Sequence, residues 1–319
     1  MSHQNTAADE AARSFFRKTP VVLLMAAICC LLWGSAYPAI KICYRLFSIT
    51  ADDTAGQILI AGIRFFAAGI LALTIGSLTR RQLLLPRKSS WGSIIVLCLF
   101  QTVIQYIFFY VGLAHADGAK SAIINACSAF VAIGLSTLVF RQEKLTPVKV
   151  FGCILGILGV IVVNINFSGF TWDFSLTGEG FILLSAVTYG CSSVFLKRFS
   201  AKDDPVMLSG AQFVMGGLIL IVIGLAGGGR AVPTSAGALV LLTYMAFLSA
   251  AAYSLWGVIL KYNPVSRIAV FSFLTPVFGF ILSCLFLEDS AASAGLRSVI
   301  ALILICIGIY IVNRAPQEN

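Results

Sequence analysis

Two glutamines one helical turn apart, Gln101 and Gln105, sit in the strongly apolar run IIVLCLFQTVIQYIFFYVGL. On a regular helix Gln101, Gln105, Phe108 and Gly112 fall at i, i+4, i+7 and i+11 and share one face. An amide turned toward lipid is costly, so that face looks inward. There the amides either hydrogen-bond a polar solute or hold neighbouring helices together. The matching positions in the second half of the chain are Ala246, Ala250, Tyr253 and Gly257, so a polar stripe is set against a small one. Trp33, Tyr37, Tyr189, Tyr253 and Trp256 also lie inside apolar segments, where their rings could stack on an apolar or cationic solute. Asn125 and Thr275 offer hydrogen bonds, and Pro276 beside Thr275 frees a backbone carbonyl that serves either a cavity or a bend. Trp91 and Trp172, at segment ends, read as interfacial anchors.

Covalent chemistry finds no machinery. His3 and His115 lie in a tail and a loop, and the acids gather at segment ends, so no nucleophile with a base and no carboxylate pair stands inside an apolar run. No GxxxxGK[ST] stretch is present to cradle a nucleotide. Of nine cysteines, eight fall within apolar segments and Cys43 just after one, a placement that argues against a disulfide framework or a metal site. The reading therefore contains no catalytic residue, no cofactor and no metal. Arg64 is the exception to the charge-free interiors. It lies roughly 10 Å into its segment at 1.5 Å per residue, close enough to snorkel to a surface. Binding an anionic group is the other reading, and its second-half counterpart, Gln212, is neutral.

The elements that position these residues follow from composition. The 319 residues are 59% hydrophobic and 11% charged, against roughly 25% charged in an ordinary soluble domain. This is an integral membrane protein, with the lipid bilayer as a partner. The net charge of +9 is spread through short connections instead of forming a stripe, which excludes a nucleic-acid partner and points to topology. Apolar segments at roughly 20–43, 57–79, 90–113, 119–140, 147–165, 177–198, 206–226, 236–260, 266–287 and 295–313 are each long enough for one crossing of about 20 residues. The start carries Arg13, Arg17 and Lys18 as a signal peptide would, but AYPAIKICYR has no small-x-small cleavage pattern, so the first run reads as a retained helix.

The segments repeat. Trp33-Gly34 precedes Lys41 by the same interval that separates Tyr189-Gly190 from Lys197. AGIRFF at Ala61 aligns with SGAQFV at Ser209, STLVFRQE ending at Glu143 with LSCLFLE ending at Glu288, and IVVN ending at Asn164 with YIVN ending at Asn313. The fold is therefore read as all-α, with ten transmembrane helices in two inverted five-helix repeats. A cytoplasmic tail over 1–19 precedes the repeats at 20–165 and 177–314. An odd number of crossings per repeat makes the second copy enter from the opposite side, the geometry of alternating access.

The WGxxxxxxK and YGxxxxxxK starts, the glutamates closing the fourth and ninth segments, Pro276 and the glycine-rich fifth segment resemble the drug/metabolite transporter superfamily, EamA type, over nearly the whole chain. Val131 at the counterpart of Pro276 and Tyr189 at the counterpart of Trp33 depart from internal symmetry. The resemblance implies a secondary transporter, usually an exporter, of a small-molecule substrate such as an amino acid. A passive channel or a membrane receptor is the alternative, and a homodimer stays open. With the N-terminus in the cytoplasm, sixteen Lys and Arg fall on the inner side and five on the outer, which places both termini in the cytoplasm and the chain in the cell (inner) membrane. This topology puts Lys41 and Glu288 at one face and Lys197 and Glu143 at the other, so two gating ion pairs between the repeats are expected, Lys41–Glu288 and Lys197–Glu143. The competing reading makes the lysines lipid anchors.

Overall fold

The computed structural model describes residues 14–139, 146–166, 171–172, 174–263, 268, 270–293 and 295–314. Among the described residues, eight helices are long and apolar enough to cross a membrane: α1 (Thr19–Leu46), α2 (Thr54–Arg80), α3 (Lys88–His115), α4 (Gly118–Val139), α5 (Pro147–Asn164), α6 (Leu176–Phe199), α7 (Pro205–Ala226) and α8 (Ala236–Tyr262). Two shorter apolar helices follow, α9 (Leu274–Phe286) and α10 (Leu296–Ile311). Among the described residues the architecture is all-helical apart from a two-residue antiparallel pair, β1 (Ile165–Asn166) with β2 (Thr171–Trp172). The starts obey local chemistry: Asp53, Asp117 and Asp204 each accept from a backbone N–H in the first turn of α2, α4 and α7, and Pro205 takes the first position of α7.

The ninth element departs from expectation. Inside the expected segment a 3₁₀ turn at Val270–Phe273 precedes the α-helical stretch that begins at Leu274. Pro276 thereby falls in the first turn, where a proline is well tolerated, so it opens the helix and does not bend it. The internal proline of α1 is Pro38, which removes the intrahelical donor to the carbonyl of Gly34. A π turn at Cys98–Val103 widens α3 between the two glutamines and rotates one against the other.

Packing crosses the halves. α2 packs on α7 and α5 on α10. α1 packs on α9 as α6 does on α4, α8 on α1 as α3 on α6, and α8 on α2 as α3 on α7. Exchanging the halves turns each pairing into itself or into another member of the set. The α2–α7 seam shows the operation in detail. A Cβ on Gly62 would stand 2.6 Å from the Ile221 nitrogen, one on Gly69 2.5 Å from the Val214 nitrogen, and one on Gly217 2.3 Å from the Phe66 nitrogen. Residue numbers rise along one helix as they fall along the other, so the two equivalent helices run antiparallel. The register that matches Gly62 with Gly210 also matches Gly69 with Gly217 and Gly76 with Gly224. The α5–α10 seam repeats the pattern, Gly159 against Ile305 and the Ala301 carbonyl, Gly308 against the Gly152 carbonyl and the Gly156 nitrogen. Antiparallel equivalent helices place the pseudo-twofold axis across the helix directions, the mark of inverted repeats. Backbones meet this closely because glycine has no side chain to hold them apart.

Candidate functional site

The WG and YG glycines set the approach of the helices around the centre. A Cβ on Gly34 would stand 2.7 Å from Phe278 Cβ in α9, and one on Gly190 2.8 Å from Val131 Cβ in α4. Each glycine thus seats the first helix of one half against the fourth helix of the other, and the preceding aromatic turns to the middle. Trp33 lies 5.0 Å from Trp256, 5.3 Å from Tyr253 and 6.3 Å from Tyr189, all edge-on. Tyr106 and Tyr253 join the halves through a 2.7 Å hydroxyl–hydroxyl bond. Phe65 and Phe213, equivalent positions of α2 and α7, stack at 5.0 Å beneath them. Tyr37 contacts Phe109 at 5.5 Å, and its hydroxyl accepts from Asn125 Nδ2 at 2.9 Å. One buried core therefore gathers Trp33, Tyr37, Asn125, Tyr189, Tyr253 and Trp256 from α1, α4, α6 and α8. Within it Trp33 Nε1, Gln105 Oε1 and Asn125 Oδ1 are buried without a protein partner. Thr275 stands apart from these, in the first turn of α9 against Cys30 of α1.

The glutamines diverge. Gln101 Oε1 accepts from Gln212 Nε2 of α7 at 3.3 Å, and Gln212 Oε1 accepts from Thr102. Gln105 lies beside Tyr253 of α8. The π turn at Cys98–Val103 is the cause, since it breaks the regular face that the spacing implied. Arg64 does not snorkel. It is 1% exposed, and Nε donates to the Met245 carbonyl and to Ser249 Oγ of α8, each at 3.0 Å, while Nη1 donates to the Tyr110 hydroxyl at 2.9 Å. The guanidinium also lies 4.9 Å from the Phe65 ring centroid. Arg64 and Gln212 are equivalent and reach equivalent helices, α8 and α3.

Ion pairs are placed differently from the expected gates. At the end of the bundle where α1 finishes, Arg45 meets Asp289 at 3.6 Å, both exposed, and Lys41 makes no ion pair with the exposed Glu288. The buried pair at that end is Lys120 Nζ with Glu179 Oε1 at 2.9 Å, joining the start of α4 to the start of α6 across the halves. A cavity of about 210 Å³ lies there, bordered by His115, Asp117, Lys120, Glu179, Arg297 and Ser298. Asp117 Oδ2 accepts from Ser290 Oγ at 2.8 Å, tying α4 to the short helix Glu288–Ser293. At the opposite end, Lys197 Nζ donates to the Leu260 and Asn263 carbonyls at 2.8 and 3.0 Å, closing the last turn of α8. Its expected partner Glu143 lies outside the described residues. Arg80 pairs there with Asp204, joining α2 to α7. Trp91 is exposed at the start of α3, as an anchor would be, whereas the Trp172 side chain lies outside the described set. All nine cysteines are free thiols. Sequence reasoning missed Glu179. Its signal was weak: one acid at the mouth of an apolar segment, with its partner far away in the chain.

Comparison with known proteins agrees with this architecture. The profile of the EamA-like transporter family matches residues 20–165 and again 176–314. The uncharacterized transporter YvbV of Bacillus subtilis is 25% identical over 305 residues, covering 95% of this chain and 94% of its own. A WAT1-related chloroplastic protein of Arabidopsis thaliana is 27% identical over 298 residues, covering 90% of this chain and 68% of its own. A solved crystal structure shares the fold with a TM-score of 0.66 at 18% identity, over 92% of this chain and 96% of the other. Two family domains in tandem, ten apolar helices and halves packed through equivalent seams lead to one conclusion: the chain belongs to the EamA-like transporter family and is a membrane transporter, not an enzyme.

Proposed function

We propose that the chain is a secondary transporter that exports small organic metabolites, amino acids or related compounds among them, by alternating access. The observation that carries this is the exchange relation between the halves: every major packing contact across the halves has a partner contact, so two mirrored arrangements of the same helices have similar contacts. A cavity between such halves opens first to one side and then to the other. The substrate contacts the central aromatic core of Trp33, Tyr37, Tyr189, Tyr253 and Trp256, with Gln105 and Asn125 supplying hydrogen bonds. The excess of Lys and Arg on one side supports a cell (inner) membrane location with both termini in the cytoplasm.

Counterflow in proteoliposomes tests the mechanism. A carrier preloaded with unlabelled substrate accelerates uptake of labelled substrate and saturates, whereas a channel gives flux that rises linearly and shows no acceleration. Candidate substrates come from comparing metabolites in the medium and cytosol of expressing cells with those of empty-vector cells, and an exporter enriches its substrate outside.

A further inference from the structure

Arg64 is 1% exposed, and the groups it touches are neutral. Among the described residues its bonds are those to Met245, Ser249 and Tyr110. Among them it has no carboxylate partner. A buried guanidinium without a counter-charge costs several kcal/mol. The equivalent Gln212 makes the corresponding contact to α3 while neutral, so helix packing alone does not call for the charge. The ring of Tyr110 lies 6.1 Å from that of Tyr106, whose hydroxyl bonds that of Tyr253 and so bridges the halves. Tyr253 leads on to Trp33, whose Nε1 is buried without a partner, as is Gln105 Oε1.

We infer that Arg64 binds the carboxylate of an organic monoanion whose apolar body lies against Tyr106, Tyr253 and Trp33, an inference that rests on the transporter reading and names its substrate class. A carboxylate matches the guanidinium fork with two parallel bonds, here to Nη2 and to the Nη1 now held by the Tyr110 hydroxyl. One positive charge suits a monoanion. A cationic amine fits less well, because none of the groups named around this core is an acid that could neutralise an ammonium.

The test uses the purified full-length protein in detergent, with thermal unfolding as the readout and phenylacetate and hexanoate as probes against the neutral phenylacetamide and the cationic phenethylamine. The two carboxylates should raise the unfolding temperature saturably, because a ligand that binds only the folded state stabilises it, and the amide and amine should not. Arg64→Gln should abolish the response, and Tyr110→Phe should retain it. Arg64→Lys, which keeps the charge but loses the fork, should weaken the apparent affinity by roughly 10- to 100-fold, and it decides the matter if Arg64→Gln does not fold. Equal responses to all four probes, no response to either carboxylate, or unchanged affinity in the Arg64 variants would overturn the inference. Counterflow is scored separately. Carboxylate binding without flux sinks the transporter reading and leaves the site, whereas flux of other solutes without carboxylate binding sinks the site and leaves the transporter.

Discussion

Gln101 and Gln105 differ in what their amides touch, and so in what their loss does. Replacing Gln101 by Leu strands the Gln212 amide in the core. We expect a loss of about 1–3 kcal/mol of stability, read as a lower unfolding temperature. Gln105→Leu removes a group whose oxygen already lacks a partner, so the protein should remain as stable as the parent and lose transport activity. Equal destabilisation by both substitutions would make Gln105 a packing residue. The sequence showed that both amides face inward but not that they part company, because the π turn at Cys98–Val103 leaves no compositional trace. Arg64 was equally opaque, since Tyr110 and Ser249 stand 46 and 185 residues away and no local periodicity encodes such contacts.

Among the helices, the glycine seams hold the halves together. Leucine at Gly69 or Gly217 would need space that the facing backbone occupies, 2.5 Å and 2.3 Å from the new Cβ. Each substitution should cost about 1–3 kcal/mol or more and reduce the monodisperse yield on size exclusion. Gly92→Ala, with nothing within 4 Å of the new Cβ, should leave the yield unchanged. If the seam substitutions are as mild as Gly92→Ala, these glycines do not set the helix spacing. The elements themselves were largely legible, since runs of apolar residues broken by short polar connections mark crossings directly. The start of α9 was not. The residues around Val270–Phe273 are as apolar as the helix after them, so hydropathy does not distinguish a 3₁₀ turn from an α-helix.

For the whole molecule, the proposed alternating-access mechanism requires the contacts that cross between halves at the two ends of the bundle to be made and broken. Lys120–Glu179 is such a contact, with side-chain exposures of 10% and 7%. Removing one partner of a buried pair costs about 3–5 kcal/mol, so Glu179→Lys should lower stability and transport together. Exchanging the charges with Lys120→Glu in the same chain should recover part of both, measured by unfolding temperature and counterflow. No recovery would show that Lys120 and Glu179 act through their other neighbours. At this end the sequence pointed to Lys41 and Glu288, because motif spacing singled those out while Glu179 sits in no motif. The α2–α7 seam carries a consequence of a different kind. Its surface is isologous, each helix offering the other the same glycines in the same order. A single five-helix ancestor inserted in both orientations could therefore have met its own copy through this surface, and fusion of two such genes would have made the encounter permanent. Once fused, the equivalent positions were free to differ, as Arg64 and the neutral Gln212 do.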